Sequence, residues 1–559
     1  MIRHALTMCR YRWLDSRRLA GEANWAWFVV VLAFVALGIG IALGLFRFFS
    51  LAFPYLLSEP YSGPVIIKYL IELSLATVLF LGVVSFVVSS MSFLFRDRSM
   101  ALLFSLPIEP TVIYWQRFII LSALSAWPVL LVAVPALTAL GVAQSASAIY
   151  YLSIIPVLLL FILLISAFGG VLSFFVAMFL RRMPTLLIYL VETVLFLLAA
   201  VIVTRQVVNA EVFTLLGAIT PQGAAAAELR LQDIFSSLPS HPFAAATLSV
   251  FPGQLGGTSG LTWVLAIILA SWLLLFWLAR RSYLRLWQDF GEGNFLARGE
   301  DVLDVRPRSF NQFPKIMRWG HGYLLEKDLI SLLRNPGEVS RAIFLLVLLM
   351  LYVFAVRAVS SMDIFANPEM FPLIISVVFA ALGYITLTLA IRFAFPALSI
   401  EGRGAWVILA SPLHMHEILS WKFFFWGSLS LLLMEAVTVL IAILFSLPLV
   451  LTLFLLFATS CSVVTLTAIT LCQGTIRPNF RQTNPDMLST SPSGLLATGF
   501  GMLYIWITAR YVQTFVASLT NRGAVDLVAA IGILVVSLTI TVGYFFFAYR
   551  AIERLQLSR

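Results

Sequence analysis

The groups that could do chemistry in this 559-residue sequence are five histidines, three cysteines and a few ionisable residues set in apolar runs. His414, His416 and Glu417 are close enough in sequence to be imagined as metal ligands. A tetrahedral zinc site takes four ligands, and one His-x-His with no further clustered donor falls short of it. Ordinary loop polarity explains the trio, and no metal is expected. Cys9, Cys461 and Cys472 are odd in number and two lie in apolar stretches, so they read as inert core thiols. No GxSxG elbow and no HExxH helix occurs, which leaves hydrolysis within a membrane unsupported. The phosphate-cradling string GxxxxGK followed by Ser or Thr is also absent. Gly253, Gly256, Gly257 and Gly260 are the nearest glycine cluster, but they lack a lysine and read as a flexible turn. Asp289, Phe290 and Gly291 spell a kinase tripeptide with no other kinase element, a chance occurrence.

Ionisable residues inside apolar runs are the remaining candidates, because a charge at bilayer depth costs about 2.5 kcal/mol or more. Lys68 and Glu72 are four apart and are expected to neutralise each other along one helix. Glu192 and Glu435 lie deeper, and Arg392 sits near the end of a run. Each glutamate either faces a translocation path or is an acid hydrogen-bonded between packed helices.

The elements that must position these groups are membrane spans. Hydrophobic residues make up 61% of the chain and charged residues 11%, against roughly 45 to 50% and about 25% in soluble domains. That balance excludes a soluble globular, disordered or disulfide-stapled protein. Apolar runs long enough to cross a bilayer, about 20 residues, fall near 25–47, 66–95, 118–142, 149–180, 185–204, 261–279, 342–358, 371–395, 423–446, 447–472, 493–511 and 526–549. With the amino terminus inside, all but seven of the 36 Lys and Arg lie at or near the inner side. The seven are Arg47, Lys68, Arg205, Arg230, Arg357, Arg510 and Arg522. This positive-inside bias accounts for the +10 net charge and supports the span count and orientation together. The first run reads as an uncleaved span. The expected architecture is an all-α polytopic membrane protein of about twelve transmembrane helices in two parallel six-helix repeats. Residues 1–280 form the first half, with an outer loop at 205–260; 281–340 form a cytoplasmic linker with an amphipathic helix; 341–559 form the second half.

A local pattern recurs at an offset of 305. Arg98, Pro107, Ile113, Arg117 and Phe118 are echoed by Arg403, Pro412, Ile418, Lys422 and Phe423, each set following the second span of its half. Met100, Leu103 and Phe104 occupy one face of a short helix that Pro107 would end, and Trp406 and Leu409 repeat the spacing before Pro412. A helix so short is marginal in water and needs a surface, either the bilayer interface or a groove on a cytosolic partner. The bland reading is a loop closed by Pro and Arg. Before the second half, 321–341 reads as an amphipathic helix carrying Glu326, Lys327, Asp328 and Arg334, ended by Asn335, Pro336 and Gly337. Residues 3–20 are a poorer copy of it.

At these residues the chain resembles the type-two ATP-binding cassette exporter permeases. The loop from Arg98 to Pro107 and Arg117, its echo Glu401, Gly402, Arg403, Trp406, Ser411, Pro412, Ile418 and Lys422, and the segment Glu326, Lys327, Asp328, Arg334, Asn335 and Pro336 carry the likeness. So does Pro478, Phe480, Asn484 and Pro485 with Ser491 and Gly494. The resemblance implies a fused pair of permease halves in the cytoplasmic membrane, with both termini cytoplasmic. It implies that Arg98, Leu103, Phe104, Pro107, Arg403, Trp406, Leu409 and Pro412 dock a separate cytosolic ATPase, a dimer that binds ATP and Mg. This chain would then hold no cofactor and catalyse nothing itself. Twelve spans with parallel repeats are equally compatible with an ion-coupled secondary transporter depending on Glu192 or Glu435. A non-transporting membrane scaffold is the third class. No nucleic acid is expected as a partner, and the apolar walls do not select a substrate.

Overall fold

A computed structural model describes residues 25–557 apart from 59–61, 96–99, 106, most of 181–234, 237, 249–256, 304–326, 331, 333–335, 361–370, 405–414, 477, 481–487 and 490. Every regular element among the described residues is helical. The cause is the solvent: hydrocarbon offers no hydrogen bonds, so an apolar segment must satisfy its own backbone, which a helix does. The chain is an all-α polytopic membrane protein. Among the described residues nine helices are long and apolar enough to cross a membrane, or up to ten if the helix bent near Trp127 is one span. The expected run 185–204 lies largely outside the described residues.

The chain divides into two compact units, Met1–Val29 with Gly38–Arg308, and Val30–Leu37 with Ser309–Arg559. Unit 1 carries α1 (Trp25–Leu57) apart from its residues Val30–Leu37, and α2 (Ser62–Ser90), α3 (Met100–Phe104), α4 (Pro110–Ala143), α5 (Ala148–Leu180), α6 (His241–Thr247) and α7 (Gly257–Leu303). Its core forms two clusters in succession along α2. One gathers Ile67, Leu75 and Leu79 with Phe161, Phe243 and Ile268. The other gathers Phe86, Tyr114, Phe118, Phe174, Leu275 and Tyr283. Short α6 belongs to this core, its Phe243 ring meeting Phe161 edge-on at 5.1 Å.

Unit 2 carries α8 (Pro336–Ser360), α9 (Phe371–Phe393), α10 (Met415–Leu444), α11 (Leu449–Ile476), α12 (Pro492–Arg522) and α13 (Leu527–Leu557). Here α9 and α12 approach closely at glycines. A Cβ on Gly383 would stand 3.1 Å from the Ile505 side chain, and one on Gly501 would stand 2.4 Å from Leu387. Small residues at such crossings replace the hydrophobic drive that lipid does not supply between helices. Large apolar side chains such as Leu432, Leu449 and Val528 stay exposed, the surface expected of a lipid-facing wall.

One repeated device escapes the sequence comparison. In unit 1, α4 passes into α5 through Ser145, whose φ is 50°, with the Ala146 amide donating to the Gly141 carbonyl at 2.8 Å. In unit 2, α10 passes into α11 through Ser446, φ 49°, with the Leu447 amide donating to the Ala442 carbonyl at 3.0 Å. Both are left-handed helix ends closed by a bond spanning the turn.

Candidate functional site

The densest set of charges brought together among the described residues lies in unit 2, where three segments converge on Lys422. This lysine sits two turns into α10, with its side chain 6% exposed. Its Nζ donates to Glu401 Oε1 at 2.9 Å and to Asp328 Oδ2 and Oδ1 at 3.2 and 3.4 Å. Lys327, 41% exposed, bonds the same Glu401 oxygen and stands 3.5 Å from Asp328 Oδ1. Two lysines thus face two carboxylates, a balanced set with its centre out of water. Burying these charges is expensive, and only the matched partners and their hydrogen bonds offset it.

Local structure explains how the acids arrive. Asp328 comes from the helical turn 327–330 that precedes α8. Glu401 comes from the irregular stretch after α9, made of the tight turns Phe395–Ala397 and Ser399–Gly404. Gly402 has φ 53° and ψ −128°, a conformation that a side chain would strain, and it kinks the chain just beyond Glu401. Helix α11 and the segment after it hold the turn from the other side. A Cβ on Gly474 would lie 2.0 Å from the Phe395 carbonyl oxygen, and the Asn479 amide donates to Ser399 Oγ at 3.1 Å. Trp426 stacks on Phe393 with centroids 5.3 Å apart, fixing α10 against α9. The result is a clamp that ties the pre-span segment, the post-α9 turn and α10 together.

In unit 1 the residue corresponding to Lys422 is Arg117, also buried, and its guanidinium lies 5.0 Å from the Phe93 ring centroid. The short apolar helix expected before Pro107 is present as α3. Phe104 packs against Trp287 at 4.7 Å and Tyr283 at 5.9 Å, so this helix lies on α7. Met100 is buried, Leu103 and Phe104 are half-buried, and Pro107 is exposed. Arg98, Glu192, Glu326, Arg334, Trp406, Leu409 and Pro412 lie outside the described residues, and Arg403 is described in its backbone alone. Glu435 accepts a hydrogen bond from Ser460 Oγ at 2.6 Å, while its Oε2 is buried without a partner among the described residues.

The pairing expected for Lys68 and Glu72 is corrected. Lys68 bonds Glu228 at 2.5 Å, and Glu72 bonds His241 at 2.7 Å. Helical spacing allows an i, i+4 pair but does not compel it, and partners far along the chain, Glu228 and His241, take the two groups instead. Sequence reasoning quoted Glu401 and Lys422 as parts of a motif without giving them a role. The signal for one was present, since a basic residue recurs at the offset of 305 near acidic residues in the second half.

A family model described as "Putative ATP-binding cassette" matches residues 23–556. No curated protein and no solved structure matches the chain. The family description attaches ATP binding to the matched chain itself. It overturns the expectations of a permease subunit served by a separate ATPase, of a chain that is not an enzyme, and of ATP and Mg held only by a partner. Those expectations rested on short cytoplasmic motifs, which do not say which polypeptide carries the nucleotide, and the missing GxxxxGK string excludes one form of phosphate loop alone.

Among the described residues no lysine stands open to the phosphates of a nucleotide. Phosphates need amides or cations free to meet them, and a magnesium ion needs carboxylate oxygens. Lys327 and Lys422 are held by Glu401 and Asp328, and Lys68 by Glu228. Among the described residues no group of three or more His, Cys, Asp or Glu could hold a metal ion.

Proposed function

This chain belongs to the ATP-binding cassette family whose model it matches over residues 23–556, and from that premise we propose that it is a membrane-embedded component of an ATP-driven transporter. The cluster of Lys327, Asp328, Glu401 and Lys422 is the mechanical joint between its cytoplasmic side and the helices of unit 2. The observation that carries this reading is the burial of a balanced charge set where three chain segments meet. A displacement of the pre-span segment is passed to α9 and α10 together, because Asp328 and Glu401 share the ammonium of Lys422.

The loops containing Arg98, Leu103, Phe104 and Pro107, and Arg403, Trp406, Leu409 and Pro412, are the cytoplasmic surfaces through which the transporter is driven. The segment with Glu326, Lys327, Asp328 and Arg334 feeds the same joint. Glu435 and Glu192 are candidates for a path between helices. The positive-inside distribution supports placement in the cytoplasmic membrane with both termini inside.

The test uses sealed membrane vesicles containing the full chain with Ser58→Cys, a position at the exposed end of α1. Addition of ATP is expected to change the rate of maleimide labelling at residue 58, and an ATP analogue that cannot be hydrolysed is expected to hold it at one extreme. Labelling indifferent to nucleotide would remove the transporter reading.

A further inference from the structure

Within unit 1, a second titratable arrangement joins the short helix α6 to α2. Glu72, nearly three turns into α2 and 7% exposed, bonds His241 Nδ1 through Oε1 at 2.7 Å. Its Oε2 and the neighbouring Ser240 Oγ are both buried without hydrogen-bond partners among the described residues. His241 is 30% exposed, so water and protons reach it while its partner stays covered. It is the first residue of α6, whose Phe243, Ala244 and Thr247 are buried against the bundle.

Among the described residues the titratable groups on the elements packed against α6 are these. Helix α2 brings Lys68, Tyr69 and Glu72, and Lys68 is bonded to Glu228. Helix α5 brings Tyr150 and Tyr151 at its start, and the Tyr150 hydroxyl donates to the Leu137 carbonyl at 3.1 Å. Helix α7 has no ionisable residue between Gly257 and Ala279. With the imidazole neutral, its Nδ1 and the Glu72 carboxyl share at most an ordinary hydrogen bond. With the imidazole protonated, the pair is neutral and its bond is charge-assisted, the stronger kind.

We propose that Glu72 and His241 form a proton-operated latch, which fastens α6 into unit 1 while His241 is protonated and loosens it when the proton is lost. The latch stands apart from the transport reading, since it needs only the contact between α6 and α2. Its bond to Glu72 raises the His241 pKa above the ordinary 6.5, burial lowers it, and the carboxylate charge raises it further. A raised folded-state pKa means that the fastening is complete below the ordinary histidine value and is lost as pH rises through the folded one. Acid closes the latch and alkali opens it.

Hydrogen exchange over 241–247, measured on the full chain in lipid nanodiscs and corrected for intrinsic rate, reads the latch directly. Protection is expected to fall with rising pH, by roughly tenfold for each unit by which the His241 pKa exceeds that of the Glu72→Gln variant. In His241→Gln and Glu72→Gln the protection is expected to be independent of pH, with exchange across α13 unchanged as the folding control. A wild-type profile as flat as these variants overturns the proposal, as does a slope that survives Glu72→Gln. Should either variant fail the folding control, carbon-13 histidine spectra of the wild-type chain decide. A histidine titrating above 6.5 in step with exchange at 241–247 supports the latch, and none doing so overturns it.

Discussion

Replacing Lys422 by methionine keeps most of the stem's volume and removes the charge on which two acids converge. Asp328 and Glu401 are 11% and 16% exposed, and the remaining cation, Lys327, is 41% exposed. Among the described residues, two carboxylates are then left in a poorly hydrated site with one partly solvated counter-charge between them. Breaking a buried charge set from one side costs about 3 to 5 kcal/mol. For a folding unit of about 250 residues each kcal/mol is worth roughly 2 to 4 °C, so the loss corresponds to roughly 6 to 20 °C in the apparent midpoint. The assay is thermal unfolding of the purified chain in detergent at a fixed scan rate, since unfolding of such chains is often irreversible. A combined Lys422→Met, Glu401→Gln and Asp328→Asn variant is expected to recover most of the loss, because the stranded charges go with their partner. A single substitution that leaves the midpoint within a degree or two would refute the reasoning, as would a triple variant less stable than Lys422→Met alone.

Gly474→Ala is expected to lower the midpoint as well, because its methyl would stand 2.0 Å from the Phe395 carbonyl oxygen and overpacking of this kind costs about 1 to 3 kcal/mol; the same thermal assay checks it. Ser145→Val and Ser446→Val place a branched side chain at φ near 50° and are each expected to cost about 1 to 2 kcal/mol, read as a lower midpoint, whereas Gly at either position is tolerated. Glu435→Gln retains an acceptor for Ser460 and is expected to preserve the fold, while Glu435→Leu is expected to abolish the ATP-dependent change in labelling at residue 58; labelling with and without ATP, beside a melting curve, checks both.

Much of this was legible in the sequence, for identifiable reasons. Apolar runs of bilayer length announce helices because hydrocarbon permits little else, and α2, α5, α9, α11 and α12 lie where such runs fall. The helix before Pro107 was legible from the spacing of Met100, Leu103 and Phe104. Its packing surface was not, because Trp287 lies far along the chain and nothing local points to it. The Lys422 cluster was half visible: the basic residue recurs in both halves, but its acids come from 328 and 401, and only the fold sets the distances. Glu72 shows the limit of local rules. The i, i+4 spacing offered Lys68, while His241, distant in sequence, takes the carboxylate. The turns at Ser145 and Ser446 have no composition signal, since serine rather than glycine adopts the left-handed conformation there.

The central claim is that charge at position 422 couples the cytoplasmic side to the membrane helices, and the most direct measurement compares Lys422→Arg with Lys422→Met in the vesicle labelling assay. The account requires Lys422→Arg to retain the ATP-dependent change at residue 58, since a guanidinium can meet both carboxylates. Lys422→Met must lose that change at a temperature where its helices remain folded. A folded Lys422→Met chain that still responds to ATP as the wild type does would contradict the account.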